Sequence, residues 1–550
     1  MSLGRCNHLS FERKFTRVDC ALIALLLLLA FVLLSKGISV GGLRFGDSAA
    51  HAMDGVLIHD WIASGPDAWF HPMTFATEQY AHYPTLGIGR HYPPGFALVE
   101  ALFLAVFGVS PFSSRLCVVF FGLVAVFGVY VFVRRFAGRL PGVLSVIALV
   151  TMPMTLRWGR QVMLEMPTMA ILIWTAVAFA RYIEQPTGKR LCYVLLLGGL
   201  AVLFKQPAVF ILGAVTLTLV VGSVLGSIKP AHAVWAASVS IMALLIVVVS
   251  LDGHGAKLLS GDASFDTRWS WAAVSYYATH APQQVGVGLL IAAGVGALCI
   301  RRMPLMNWAF LLAWLGVYYA LLVVADFKNT RFFFFALFPL AVWAGMGAAW
   351  VLSFLPHRQV RIASCVLVSA VCCAVAWNAP IDYRPDFGSV VQSNEKRISG
   401  HAVLFSGLRE GDFVFAVRQH LPWRSAIIIR SSKLLYTCNG RIELDFNSRV
   451  SSIEELEEVM RDLAFETLFV ERANKLKLTE EELLRDYLAD SPAYERTESY
   501  TFRTGDVPNY RDTTLDVYEA VEPLIRSVDS LDILIPRTNR TVHVQLPERS

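Results

Sequence analysis

Charge is what this chain has least of. Only 17% of its 550 residues are Asp, Glu, Lys or Arg, against 55% hydrophobic, and mean hydropathy is +0.52. A soluble protein of this length would expose far more charge, so the composition describes a polytopic membrane protein. Cysteine is scarce and scattered: nine residues, no CxxC pair, and Cys438 alone after residue 379. That pattern excludes a disulfide framework and a cysteine-rich metal site. A cleavage signal is missing too. The first apolar stretch, roughly 21–34, is followed by SKGISVGG, which lacks a small-x-small site, so it reads as a retained helix. The net charge of +5 is small, and basic residues at the cytoplasmic ends of helices account for it better than nucleic-acid binding does.

About 20 apolar residues cross a bilayer, and cytoplasmic loops are enriched in Lys and Arg. Arg5, Arg13, Lys14 and Arg17 place the N-terminal tail inside. Apolar stretches then recur at about 115–133, 140–155, 167–180, 191–204, 207–226, 232–251, 284–300, 305–325, 331–354 and 361–377. With the first, they predict about 11 transmembrane helices. Basic loops such as RRFAGR and RYIEQPTGKR fall inside under this count. The stretch 93–108 opens with Pro93, Pro94 and Gly95, a poor start for a buried span, and reads as a re-entrant or juxtamembrane helix. The assignment puts Asp47, Arg90, His91, Glu165, Lys205, Lys328 and Arg331 at the outer surface, with Arg157 and Arg160. Charged groups near the hydrocarbon boundary are costly unless paired or used.

Character changes near residue 380, which divides the chain into a transmembrane part, 1–379, with an outer loop at 39–114, and a soluble part, 380–550. SAIIIRS (425–431) and ETLFVER (466–472) read as buried strands. SSIEELEEVMRDL (451–463) and LTEEELLRDYLAD (478–490) read as amphipathic helices, each opened by a Ser or Thr cap. TTLDVYEAV (513–521) reads as a late edge strand. The alternation predicts a C-terminal extracytoplasmic α/β domain, built around a parallel sheet. It holds no phosphate-cradling glycine loop and no His or Cys cluster. Its expected role is structural or acceptor-binding.

Asp47 lies just beyond the first span in RFGDSAAHAMDG. Taken alone it is as well explained as a helix cap. The segment that follows, IGRHYPPGFALVEALFLAVFGVSPFSSRL, adds a Pro-Pro element, an apolar helix, a glycine turn and a Ser-Arg-Leu span entry. RWGRQVMLEMP (157–167) and KNTRFFFFALFPLA (328–341) complete a compound pattern. Over about residues 20–350 this pattern resembles the glycosyltransferase C superfamily, in the branch of bacterial relatives of protein O-mannosyltransferase and aminoarabinose transferase. Three positions depart from that family's usual residues: Ser48 stands where the family's second acid is common, Glu165 where Asp is, and Phe332 where Tyr is.

The resemblance implies an integral membrane glycosyltransferase. It would move a sugar, with inversion, from a polyprenyl-phosphate donor to an acceptor hydroxyl on an envelope glycan, glycolipid or protein. Asp47 is the candidate general base, since a carboxylate within reach of the attacking hydroxyl can take its proton. Lys205 and Arg331 are the candidates to hold the donor phosphate, with Arg90 and His91 assisting. Glu165 would orient those cations or, with His91, ligate a divalent metal ion. A third reading makes Glu165 only a helix-start carboxylate. His51, His59, His71, His82 and His91 put five of thirteen histidines within 41 residues, yet none shows a clear ligand spacing. The competing reading is a transporter or flippase, against which stand the absence of an internal repeat and the placing of charge at the outer face rather than mid-membrane.

Overall fold

The computed structural model describes residues 15–44, 46–84, 92–250, 270–299, 303–325, 328–381, 385–407, 409–437, 446–472, 478–502, 513–535 and 540–547. The chain divides into two compact units. One comprises Met1–Lys36, Val118–Arg160 and Leu164–Pro380; the other comprises Gly37–Cys117, Gln161–Met163 and Ile381–Ser550. The outer loop therefore clusters with the C-terminal part.

The helices run α1 (Arg17–Leu34), α2 (Gly46–Ala63), α3 (Pro66–Phe70), α4 (Pro72–His82), α5 (Gly95–Phe107) and α6 (Pro111–Ala137). Next come α7 (Arg139–Thr151), α8 (Pro153–Gly159), α9 (Glu165–Glu184), α10 (Gly188–Val202), α11 (Phe210–Val224) and α12 (Pro230–Ser250). Among the described residues, eight helices are long and apolar enough to cross a membrane, or up to ten if two bent pairs each count as one span. The bends are 63° at Met152–Pro153 and 113° at Gly286, where the backbone turns left-handed at φ +95°. The eleventh expected span is α10, whose 15 residues make it shorter than the others. The stretch after Pro94 is the 13-residue helix α5, too short to cross unaided.

In the first unit, close helix packing depends on small residues. A Cβ added at Gly296 would strike the Trp343 carbonyl, and one at Gly347 would strike the Ala292 carbonyl. The two backbones meet directly there, as small residues allow in membranes. At the start of α1, Thr16 and Asp19 form a reciprocal cap. Asp19 also accepts from Arg134 Nε at 2.6 Å, Arg139 Nε at 2.9 Å and Tyr130 OH at 3.0 Å. This buried carboxylate ties α1 to α6 and α7.

In the second unit the main sheet has the order β2-β1-β5-β7-β6. Its strands are β1 (Ala402–Ser406), β2 (Ile427–Arg430), β5 (Thr467–Glu471), β6 (Tyr494–Phe502) and β7 (Thr513–Ala520). Short strands β3 (Tyr436–Thr437) and β4 (Asn447–Ser448) pair separately, as do β8 (Ser530–Ile535) and β9 (Arg540–Gln545). β2, β1 and β5 are parallel, whereas β7 runs antiparallel to both neighbours. The sheet is thus mixed, and β7 lies inside it rather than at its edge. The edges are β2 and β6, and the exposed Glu and Arg side chains of β6 discourage further pairing. Both expected helices form, as Ile453–Leu463 and Thr479–Asp490. Ser452 caps the first, but Leu478 occupies the cap position of the second, leaving Thr479 inside the helix. The outer loop joins this core. Tyr80 of α4 is buried among Ile427, Leu434 and Val544, and Arg418 pairs with Asp60 at 2.8 Å. Burial alone would raise the Asp60 carboxyl, but His59 and Arg418 hold it below the usual aspartate range.

Candidate active site

Three of the predicted site residues meet in the first unit. Glu165 opens α9, where the helix dipole favours an anion, and is 1% exposed. Lys205 Nζ donates to its Oε1 at 2.6 Å, and Arg331 Nε lies 3.1 Å from the same oxygen. Local sequence explains the convergence. α10 stops at Val202 and Lys205 caps the 3-10 segment Gln206–Val209, so the lysine sits on extended backbone between two helical segments. Arg331 lies in a 3-10 segment, Thr330–Ala336, opened by Asn329, whose side chain accepts from the Arg331 backbone N–H at 2.9 Å. Trp314 Nε1 donates to Phe335 O at 2.8 Å and Tyr318 OH to Phe332 O, which anchors that segment. The Arg331 guanidinium lies 5.7 Å from the Trp158 ring centre, and Arg157 lies 5.3 Å from the same ring.

Two cations meet on one carboxylate oxygen. Removing such charges from water is compensated only by close pairing or by a ligand. Cations converging in this way suit an anion. They do not suit a metal at Glu165, because a divalent cation there would face both Lys205 and Arg331. Among the described residues, no three His, Cys, Asp or Glu side chains gather as a metal site. The other predicted cations do different work. Lys328 donates to the carbonyls of Leu322, Val323 and Ala325 at 2.6–2.8 Å, closing the end of helix Leu305–Val324. Arg160 donates twice to Leu33 O, at 3.0 and 2.7 Å. Arg90 and His91 lie outside the described residues.

Asp47 stands in the second unit, in the first turn of α2, and is half-buried. Helical spacing sets His51 and Asp54 on the same face of α2. His51 meets the Tyr92 ring edge-on at 4.5 Å. Ser48 is fully buried and its hydroxyl contacts Met163 Sδ at 3.3 Å. A carboxylate at position 48 would therefore enter packed interior.

Two residues were passed over in the sequence. Arg115 is buried and donates to Ile38 O at 2.8 Å, Val40 O at 3.1 Å, Gly41 O at 3.0 Å, and also to Gly42 O. It gathers the loop that leads to Asp47. Glu100, in α5, is fully buried beside α2; a Cβ at Gly55 would sit 2.5 Å from its Oε2. Burial pushes Glu100 up to about 8, with Ser114 opposing and Asp54 reinforcing the rise. A Glu inside an otherwise apolar run was the available signal for it.

The profile of one family, dolichyl-phosphate-mannose-protein mannosyltransferase, matches residues 91–251. Glu165 and Lys205 fall inside that match; Asp47 and Arg331 fall outside it. No curated protein matches the chain. Among solved structures, ArnT from Cupriavidus metallidurans bound to undecaprenyl phosphate superposes with a TM-score of 0.55 at 12% identity, covering 90% of this chain and 97% of that one. Its apo state gives 0.55 at 12% identity, covering 91% and 98%. The chain is therefore similar in fold to ArnT, and over residues 91–251 it is similar in sequence to the mannosyltransferase family. The mycobacterial arabinofuranosyltransferase AftD superposes at 0.53 with 14% identity, over 95% of this chain but 41% of its own length. The chain is a multi-pass membrane protein with a sheet-containing C-terminal part.

Proposed function

We propose that the chain transfers a sugar from a polyprenyl-phosphate donor to an acceptor hydroxyl at the extracytoplasmic face of a bacterial inner membrane, with inversion. The observation that carries this reading is the buried Glu165–Lys205–Arg331 cluster, in which two cations from separate elements converge on one carboxylate oxygen. The acceptor oxygen attacks the anomeric carbon as the bond from that carbon to the phosphate oxygen breaks. The hydroxyl proton passes to Asp47 as general base. Charge that builds on the departing lipid phosphate is met by Lys205 and Arg331, preorganised in a low-dielectric setting. Arg331 offers a planar fork for two phosphate oxygens, while Lys205 acts as a compact charge. Glu165 holds both cations in place. Undecaprenyl phosphate bound to ArnT, a protein of the same fold, supports the donor class.

The test is transfer by the purified chain in proteoliposomes, with polyprenyl-phosphate sugars and nucleotide sugars offered separately. Turnover is expected only with the lipid donors, and Lys205→Met should lower it at least about a hundredfold, the scale of losing one donor to a developing anion. Turnover with nucleotide sugars alone would sink the proposal. The transporter reading draws on the two bent helix pairs, but it gives no role to two cations converging at a helix start.

A further inference from the structure

A cleft of about 630 Å³ opens in the second unit between α4, the first residue of β2 and the end of β9. That volume is within the roughly 300–1,000 Å³ range of small-molecule sites. Its polar lining comes from Thr74, Thr77, Glu78, His82, His543 and Gln545. Met73, Ala81, Ile427 and Val544 supply apolar surface.

The hydrogen bonds already made by these side chains decide what they can still offer. Thr77 donates its hydroxyl proton to Met73 O at 2.9 Å, so its oxygen remains an acceptor. His82 Nδ1 lies 3.0 Å from Ala426 O. A carbonyl only accepts, so Nδ1 carries the proton and Nε2 of the neutral ring is an acceptor. His543 Nδ1 donates to the Asp532 carboxylate at 2.9 Å. Gln545 donates one amide N–H to Asp529 O at 3.0 Å, which leaves its second N–H as donor and its amide oxygen as acceptor. Glu78 takes two bonds from Arg424, at 2.9 and 3.0 Å, so the carboxylate and the guanidinium neutralise each other.

The lining thus offers several acceptors, with further donors at the Gln545 amide and the Thr74 hydroxyl. It matches a ligand that brings many donors, carries no net negative charge and has apolar C–H faces. A phosphate or a carboxylate would meet Glu78 there and no lining Lys or Arg. From this lining we infer that the cleft is a saccharide-binding site, taking neutral sugar units through their hydroxyl groups. In its role the inference rests on the glycosyltransferase reading: the bound glycan is the part of the acceptor beyond the reacting hydroxyl.

The experiment measures equilibrium binding to the detergent-solubilised full chain. The probes are neutral mannan, arabinan and glucan oligosaccharides, with a hyaluronan hexasaccharide as acidic control. At least one neutral probe should bind saturably and the acidic one more weakly. Thr77→Trp, a filler at an exposed position, should weaken binding at least about tenfold, or 1.4 kcal/mol. His543→Ala, near the chain end and exposed, should weaken it in the same direction and decides the matter if Thr77→Trp misfolds. Absence of saturable neutral binding, preference for the acidic probe, or binding untouched by the folded variants overturns the inference. Asp47→Asn chains should bind the probe as the unaltered chain does. Transfer retained by Asp47→Asn would count against the catalytic reading alone, because saccharide binding is read without turnover.

Discussion

Replacing Glu165 by Gln keeps the shape of the side chain and removes the charge shared by Lys205 and Arg331. Both cations are nearly enclosed, with side chains 11% and 14% exposed, and both lie within 3.1 Å of one oxygen. Breaking a buried pair by removing one partner costs about 3–5 kcal/mol, because the remaining charge is left uncompensated. Here two like charges remain, so the upper part of that range applies. At about 2 °C per kcal/mol or less for a chain this large, apparent Tm should fall by up to roughly 10 °C. Thermal unfolding of purified protein, followed by intrinsic fluorescence, reads the change. Glu165→Gln with Lys205→Met should be more stable than Glu165→Gln alone, since the second change removes one unpaired cation. Groups in one charge network couple by about 0.5–3 kcal/mol, so the rescue is measurable. If Glu165→Gln melts like the original and the double variant shows no rescue, the carboxylate does not hold the two cations. The account of a preorganised cluster then fails.

Other consequences lie elsewhere in the molecule. Burial, with Glu410 nearby, pushes Glu481 up to about 7 from an ordinary value of 4.5. Its neutral form is favoured on folding, so its contribution is fully present below pH 4.5 and is lost as pH rises through about 7. The loss is on the order of 3 kcal/mol. Melting of Glu481→Gln relative to the original should improve from pH 5 to pH 8, and a constant difference would contradict this. Gly296→Val would drive a side chain into the Trp343 carbonyl. It should destabilise the first unit by about 1–3 kcal/mol or more, read as lost folded yield and lower Tm. Arg115→Met should loosen the loop 38–42 and lower turnover while retaining binding of the lipid donor; unchanged turnover would remove Arg115 as a positioning residue for Asp47.

Much of the fold could be read in advance because membrane burial imposes length and apolarity on each crossing. The reading erred where tertiary packing overrides those cues. α10 looked like the other spans in composition but is shortened by the turn that delivers Lys205. β6 alternates with charge on its open face, so it carries little apolar signal, although it covers β7 and makes that strand internal. The contacts of Gly296 and Gly347 are invisible to periodicity, since close backbone approach appears only when two helices meet. In the site, Glu165, Lys205 and Arg331 were conspicuous as charges at the ends of apolar runs. Their shared oxygen was not, because they are separated by 40 and 126 further residues in the chain. Lys328 and Arg160 were equally conspicuous, and only the structure shows them spent on carbonyls. Asp47 was found through its neighbours rather than through any property of its own.

The central claim is that a carboxylate at position 47 takes the acceptor proton while a polyprenyl phosphate departs. Asp47→Asn preserves shape and removes basicity. The measurement is single-turnover transfer from a polyprenyl-phosphate sugar in proteoliposomes, with membrane insertion and donor binding checked on the same preparation. The account predicts unchanged insertion and donor binding, with transfer reduced by about 10²–10⁴-fold, the usual contribution of a general base. Transfer at the original rate by a correctly inserted Asp47→Asn chain would contradict it.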